Sequence, residues 1–312
     1  MEIRYVSLAN CGPGGHSVAS QLLTSERLPH EMTATSPDKA RPILRWAGSK
    51  RKLLNRLQPF WDSDKYDRYV EPFAGSACLF FAIQPGRALL ADKNHELIEM
   101  YEVVRENPEQ LFEVMINIPR TKQSYYAERS RNPRHLSHFD RAVRFLYLNR
   151  NCFNGIFRTN RDGHFNVPFA TSRAGRYFTR AELVKCAELL EFAELRTWDF
   201  GTTLRYVTDS DFVYIDPPFA VSSRRIFREY GPTTFGVRDI ERLQQHLQKL
   251  DQRGADFLVS YADCKEARQL ACGWTSRRVR VRRHVAGFAA SRKRSYELLI
   301  TNIDETRTID GD

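Results

Sequence analysis

The stretch RYVEPFAGSACLFF, residues 68–81, decides the fold that the sequence predicts. It begins as an apolar strand pattern, turns at Gly75 and continues as a helical pattern. A second apolar run, ALLAD, ends in Asp92, seventeen residues after Gly75. A strand, a glycine turn, a helix and a second strand that ends in an acid are typical of α/β proteins that bind a nucleoside.

Further apolar runs predict the remaining strands of the sheet, at 195–199, 212–215, 256–260 and 298–302. Helical patterns lie between the strands, at 94–105, 180–194 and 237–253, and Gly254 provides a stop for the last of them. This alternation predicts a parallel α/β sheet that is covered on both faces. The sequence RVRVRR at 278–283 alternates arginine with valine, which predicts an edge or late antiparallel strand.

Positive charge is concentrated where the alternation of strands and helices breaks, at about 117–180. Residues 120–180 contain thirteen lysines and arginines against three acids, a local net charge of +10 that equals the net charge of the whole chain. Residues 277–294 add eight cations and no acid. The break in the alternation predicts an inserted domain. The clustered charge predicts a polyphosphate partner, with a solvated basic surface as the alternative.

The composition excludes several other classes of protein. With 42% hydrophobic and 12% aromatic residues the chain is not globally disordered. We expect a cytoplasmic protein, because no apolar run approaches the ~18 to 20 residues of a membrane span and no signal pattern is present. The six cysteines lack metal-ligand spacing, so we expect no metal. Residues 1–40 lack periodicity and predict a poorly ordered extension.

The stretch FVYIDPPF, residues 212–219, fits a reaction in which the exocyclic amine of a nucleic-acid base acts as the nucleophile. An aromatic amine is a poor nucleophile because its lone pair is delocalised into the ring. The carboxylate of Asp216 and the carbonyl of Pro217 are placed to accept its two hydrogens. Phe219 offers a stacking face to a base that has left the duplex. The alternative for this tetrapeptide is a rigid loop stiffened by its prolines.

Upstream, ILRWAGSKRKLL at 43–54 places an indole and a cation four residues apart. Trp46 is suited to form an aromatic wall, and Lys50 to face a carboxylate. The alternative is a buried tryptophan beside a surface lysine.

Taken together, these motifs resemble the Dam-type (D12 class) DNA adenine-N6 methyltransferases over roughly 43–303. RWAGSK, EPFAGS, LADKNHELI, LNRNCFNGIFRTNRDGHFNVPF (148–169), DPPF and ELLITN occur in the family's order. The resemblance implies a Rossmann-like sheet that uses S-adenosylmethionine and carries an inserted, mainly helical target-recognition domain. The catalytic domain would comprise 41–116 and 182–304, the insertion 117–181 and a tail 305–312.

The resemblance also implies roles for individual residues. The expected catalytic residues are Asp216, Pro217, Pro218 and Phe219. The expected cofactor contacts are Trp46, Lys50, Glu71, Phe73, Gly75, Asp92 and Asp216. The expected contacts to double-stranded DNA are Arg150, Asn154, Arg158, Asn160, Arg161, Asn166 and Pro168, with Arg158, Asn160 and Arg161 on a hairpin that reaches base edges or phosphates. The resemblance implies a cytoplasmic enzyme that associates with the nucleoid through DNA. Its biological role would be in restriction-modification, in a phage or in genome maintenance. The expected target sequence is GATC.

Two positions depart from the family pattern. Ala77 stands where glycine is usual, which adds a methyl group near the expected cofactor site, and Phe219 stands where tyrosine is commoner. N4-cytosine enzymes typically have serine at the position of Asp216, and no Pro-Cys dipeptide supports C5-cytosine chemistry. An RNA adenine methyltransferase and a catalytically degenerate DNA-binding regulator remain as alternatives. The chemistry requires only a monomer, and the sequence leaves the oligomeric state open.

Overall fold

The computed structural model describes residues 40–160, 163–171, 175–218, 235–281 and 295–304, and these residues contain a seven-stranded sheet. The strands are β1 Arg68–Glu71, β2 Ala88–Ala91, β3 Ala193–Arg196, β4 Asp211–Ile215, β5 Asp256–Ala262, β6 Thr275–Val281 and β7 Ser295–Thr301. Their spatial order is β3-β2-β1-β4-β5-β7-β6. Strands β1 to β5 are parallel, and β7 is antiparallel to both β5 and β6.

Apolar side chains cover both faces of the sheet, as the uninterrupted apolar strands predict. Successive residues of β1 point to opposite faces, so Tyr69 belongs to one buried cluster and Val70 to another. In β4, Phe212 and Val213 divide between the same two clusters. The predicted α/β fold class with a Rossmann-like methyltransferase sheet is confirmed.

Ten α-helices accompany the strands within the described part of the chain. They are α1 Leu54–Leu57, α2 Cys78–Ile83, α3 His95–Glu106, α4 Pro108–Asn117, α5 Lys122–Ser130, α6 His138–Asn151, α7 Arg180–Leu190, α8 Phe200–Thr203, α9 Val237–Arg253 and α10 Lys265–Leu270. Helix α9 buries the predicted apolar stripe and ends at Arg253, before Gly254, whose φ of 82° is left-handed. Strand β6 lies at the sheet edge with Val279 buried and Arg278 exposed, as the alternating sequence predicts.

The strand predicted at 195–199 begins two residues earlier in the structure, and the helix predicted at 180–194 begins at Arg180 but ends four residues earlier. Strand β3 begins at Ala193 because it pairs in register with β2, and helix α7 therefore ends at Leu190. The chain leaves the sheet after Arg196, since the ring of Trp198 stacks on Tyr206 at 4.9 Å and Asp199 caps α8. The local hydrophobic periodicity of the sequence does not report these contacts between different elements.

The region expected to be an insertion contains α5, α6 and a hairpin. An antiparallel bridge joins Thr159 to Phe165, and the Asn160 amide donates to the His164 carbonyl at 2.8 Å. Arg161, expected on this hairpin, lies outside the described residues, as does the extension up to residue 39.

Candidate active site

The carboxyl ends of β1, β2 and β4 meet at one edge of the sheet. Glu71 ends β1, Asp92 follows β2, and Asp216 follows β4. Because β1 lies between β2 and β4, chain connections leave this point in opposite directions, and ligands of α/β sheets bind at such points. Three predicted site residues are therefore neighbours although they are far apart in sequence.

The turn after β1 requires glycine at position 75. The φ of Gly75 is 47°, and a Cβ added there would lie 2.8 Å from Nε1 of Trp46. The Gly75 amide donates to Oδ2 of Asp92 at 3.1 Å, and the Tyr101 hydroxyl donates to the Gly75 carbonyl at 2.8 Å. These bonds fix the backbone of the turn against the end of β2.

Asp92 retains acceptor capacity for a ligand. Its Oδ1 accepts from the Asn94 amide at 2.9 Å and its Oδ2 from the Gly75 amide, whereas a carboxylate offers about four lone-pair positions. Burial raises the pKa of this carboxyl, and the amides of Asn94, Gly75 and Lys93 oppose the increase. A partly exposed carboxylate held in this way can accept ribose hydroxyls.

Ala77 adopts a left-handed conformation with φ of 47° and ψ of 38°, immediately before α2. Its side chain is fully buried in the main apolar cluster, with 0% exposure. The methyl group therefore packs inside the protein instead of lining open space. The consequence of alanine at this position is backbone strain of about 1–2 kcal/mol.

Glu71 lies in the interior, with 2% exposure, and accepts a hydrogen bond from the Tyr69 hydroxyl at 2.9 Å. Burial raises the pKa of Glu71 well above its ordinary value. The structure therefore places this carboxyl inside the protein, where it supports the strand end.

Two aromatic groups flank the glycine turn. Trp46 stacks on Phe157 at 6.0 Å and on Phe145 at 6.5 Å, so its ring joins an aromatic cluster from the region expected to be an insertion. On the other side, Phe73 stacks on Phe200 at 5.2 Å and meets the edge of Phe235 at 5.9 Å.

Asp199 and Phe200 were missed by the sequence analysis. Asp199 follows β3 as Asp92 follows β2, and it pairs with Arg242, whose guanidinium lies 3.9 Å from the centroid of the Phe200 ring. An acid at the end of a strand was the available signal, since the predicted strand at 195–199 ends in Asp199 as the run ALLAD ends in Asp92.

Asp216 is anchored through one of its two oxygens. Lys50 Nζ lies 2.5 Å from Oδ1 of Asp216, and the Ser260 hydroxyl donates to the same oxygen at 3.1 Å. Within the described residues no hydrogen bond reaches Oδ2. The side chain of Asp216 is 20% exposed and that of Lys50 is 4% exposed, so the second oxygen is available at the open side.

Lys50 lies between two carboxylates, because Oε2 of Glu297 is 3.8 Å from Nζ. Burial lowers the pKa of Lys50, but Asp216 and Glu297 together raise it above its ordinary value. For Asp216, burial raises the pKa, Lys50 opposes the increase, and Glu297 adds to it. The alternative of a surface lysine at position 50 is wrong.

The turn after Asp216 is supported from β5. Pro217 is buried, and the carbonyl of Pro218 accepts from the Tyr261 hydroxyl at 3.4 Å. Phe219, the expected stacking residue, lies outside the described residues.

The expected DNA contacts divide between surface and interior. Asn160 and Pro168 are exposed, and Nε of Arg158 donates to Oδ1 of Asn166 at 2.7 Å. Asn154 precedes Gly155 and is left-handed, with φ of 56°.

Arg150 is only 8% exposed, and one of its side-chain nitrogens, Nη2, donates to the carbonyl of Arg176. Burial, followed by four neighbouring arginines, lowers the pKa of Arg150 to about 10. We call these five residues the arginine group: Arg45, Arg51, Arg120, Arg150 and Arg176.

The described residues contain neither a membrane-spanning helix nor a cluster of metal ligands. No helix among them is long and apolar enough to cross a membrane. In the same residues no group of three or more histidine, cysteine, aspartate or glutamate side chains is arranged to hold a metal ion.

Comparison with known proteins identifies the family. The D12 class N6 adenine-specific DNA methyltransferase family matches residues 46–284. A Type II methyltransferase of Lactococcus lactis subsp. cremoris, M1.LlaDCHI, is 31% identical over 271 residues, which are 84% of this chain and 95% of the relative. The DNA adenine methylase of Escherichia coli is 32% identical over 270 residues, again 84% of this chain and 95% of the relative. The chain, with its acid-ended strands and its DPP turn, belongs to the D12 class of N6 adenine-specific DNA methyltransferases.

Proposed function

We propose that this enzyme transfers a methyl group from S-adenosylmethionine to N6 of an adenine turned out of duplex DNA at a specific sequence. The observation that carries the proposal is the anchoring of Asp216 through Oδ1 alone, beside a nucleoside-type turn. Chemistry on one base of one strand requires one copy of the chain. We place the enzyme in the cytoplasm, associated with the nucleoid through its DNA.

The turn residues fit S-adenosylmethionine. Asp92 has acceptor positions for ribose hydroxyls, Gly75 brings bare backbone close to Trp46, and Phe73 presents a ring beside Phe200. When bound, this cofactor supplies an electrophilic methyl group on a positively charged sulfur. Lys50 is bonded to Asp216, so we assign it a supporting role rather than a direct contact to the cofactor.

Asp216 and Pro217 would act on the adenine amine. Oδ2 of Asp216 would accept one N6 hydrogen and the Pro217 carbonyl the other, which localises the nitrogen lone pair. Lys50 and Ser260 hold Oδ1, so the carboxylate cannot rotate away from the amine. Phe219 would stack on the displaced base, and this remains a prediction.

The insertion at 117–181 would recognise DNA. Its excess of cations suits a phosphate backbone, and Arg158, Asn160 and Pro168 lie on or beside a hairpin that can reach base edges. Arg150 lies below this surface within the arginine group. We propose that the arginine group draws DNA phosphates toward the hairpin.

The test is transfer of labelled methyl groups from S-adenosylmethionine to unmethylated duplex DNA, followed by nucleoside analysis. We expect N6-methyladenine from the unaltered enzyme and none from Asp216→Asn. The matched control is Asp211→Asn, which removes another buried carboxylate from the opposite end of β4 and should retain transfer. Transfer to RNA alone, or no binding of the cofactor, would contradict the proposal and favour an RNA enzyme or a degenerate regulator.

A further inference from the structure

Glu297 is a buried carboxylate to which the expected chemistry gives no role. It lies on β7, is 3% exposed and approaches Lys50 Nζ to 3.8 Å. Its strand neighbours β5, which carries Ser260, and β5 neighbours β4, which precedes Asp216. Lys50 thus bridges two carboxylates that come from strands on either side of β5.

We infer that Glu297 is a positioning residue, which acts through Lys50 to fix the orientation and the basicity of the Asp216 carboxylate. This inference rests on the proposed function, in which Asp216 receives the adenine amine. The ammonium group of a lysine with a single carboxylate partner would stabilise the negative charge of that partner alone. Glu297 attracts the ammonium from the other side, which leaves Asp216 a stronger hydrogen-bond acceptor.

Charge balance supports this role. Two carboxyl groups, those of Asp216 and Glu297, lie within 3.8 Å of the single ammonium group of Lys50. An isolated negative charge in the interior is costly, so the arrangement requires a reason. A net negative site suits the positive charge that develops on an amine nitrogen during methylation.

Several titratable or polar groups face Asp216 and must be considered together. They are Lys50 before α1, Glu71 on β1, Cys78 on α2, Tyr214 on β4, Ser260 on β5 and Glu297 on β7. Ser260 also bonds to the Tyr214 hydroxyl at 2.9 Å, so it is itself held in place. In this set Glu297 can be neutralised without removing a direct hydrogen bond to Asp216.

The test follows the titration of the Asp216 carboxyl by ¹³C NMR in the full-length protein labelled at aspartate. The Asp216 signal is identified as the one that is absent from the spectrum of Asp216→Asn. In Glu297→Gln the midpoint of titration should fall by about half a pH unit or more, because a neighbouring negative charge is lost. Glu297→Asp should restore part of the shift. Asp211→Asn, remote from the group, should leave the midpoint unchanged.

Turnover provides the second readout. Glu297→Gln should lower kcat about tenfold with little change in KM for DNA or cofactor, and thermal unfolding checks that the variant folds. An unchanged midpoint in a folded Glu297→Gln protein would overturn the inference, as would an effect on KM alone. If the unaltered protein transfers no methyl group, the proposed function fails, while the titration still decides the electrostatic link.

Discussion

Lys50 and Arg150 are both buried cations, yet their surroundings are opposite. Lys50 contacts two carboxylates, which raise its pKa, whereas Arg150 is surrounded by arginines and its pKa falls to about 10. Within the described residues Nε of Arg150 has no hydrogen-bond partner. The first site already pairs its cation with carboxylates, whereas the second is incomplete, because the charged groups that act most strongly on Arg150 are other arginines. A preorganised site suits catalysis on a neutral amine, and an incomplete one suits binding of a polyanion.

The largest expected effect comes from Lys50→Met. Removing the ammonium leaves Asp216 and Glu297 buried without a cation, which should cost about 3–5 kcal/mol of unfolding free energy and abolish transfer. Urea denaturation measures the first effect and the methyl-transfer assay the second. Lys65→Met is the matched control, because Lys65 is 40% exposed and its pair with Asp256 should contribute less than about 1 kcal/mol. Equal losses in the two variants would contradict the comparison.

Arg150→Met should have the opposite profile. Its removal relieves repulsion, so unfolding free energy should change by less than about 1 kcal/mol, while duplex DNA binding weakens about tenfold. The slope of log affinity against log salt should fall by about one. The measurement is a salt series of DNA titrations on the unaltered protein and the variant.

Arg144→Met is the control on the same helix. Arg144 is buried too, but it donates to the carbonyls of Glu128 and Arg129 and lies 3.9 Å from Glu96. Its loss should therefore destabilise the protein by about 2 kcal/mol, since it leaves buried acceptors unpaired. A larger destabilisation from Arg150→Met than from Arg144→Met would show that the arginine group is structural.

The sequence predicted those parts of this comparison that depend on local patterns. β2 and α9 lie where periodicity placed them, because their burial is set by neighbours within the same element. The approach of Lys50 to Asp216, 166 residues away, depends on strand order, which periodicity does not encode. The same holds for Glu297, whose strand lies between β5 and β6. Arg150 was expected at the surface because its burial depends on packing around α6.

Glu71→Gln tests whether Glu71, a buried carboxyl at the sheet edge that also carries Asp216, is ionised in the folded protein. Burial raises the pKa of Glu71 above its unfolded value, so the folded protein holds a proton that the unfolded chain releases. Stability should therefore fall as pH rises above the ordinary glutamate range. Glutamine can still accept from Tyr69, so the variant should match the unaltered protein within about 0.5 kcal/mol at low pH and exceed it progressively at higher pH.

Urea denaturation between pH 4 and 8 measures this difference. Parallel pH dependences for the two proteins would mean that Glu71 is ionised in the folded state. In that case the negative charge near Lys50 would exceed the charge of the two carboxylates that contact it, Asp216 and Glu297.

The smallest expected effect comes from Glu182, a carboxylate beside the arginine group. It bonds to Arg176, which lowers the pKa of Glu182 to about 2. A depressed pKa gives stability that is present above the ordinary glutamate value and is lost as pH falls toward 2. Because the Arg176 side chain is 61% exposed, solvent screening limits the loss in Glu182→Gln to about 0.5 kcal/mol at pH 7.

The same change should strengthen DNA binding about twofold, since the arginine group loses its nearest competing anion. Glu188→Gln is the control, because Glu188 pairs with Lys185 on the same helix and should leave DNA affinity unchanged. Paired DNA titrations at low salt measure both variants. Weaker binding by Glu182→Gln would mean that Glu182 orients Arg176 toward phosphate, and the arginine group would then be partly preorganised, as the Lys50 site is.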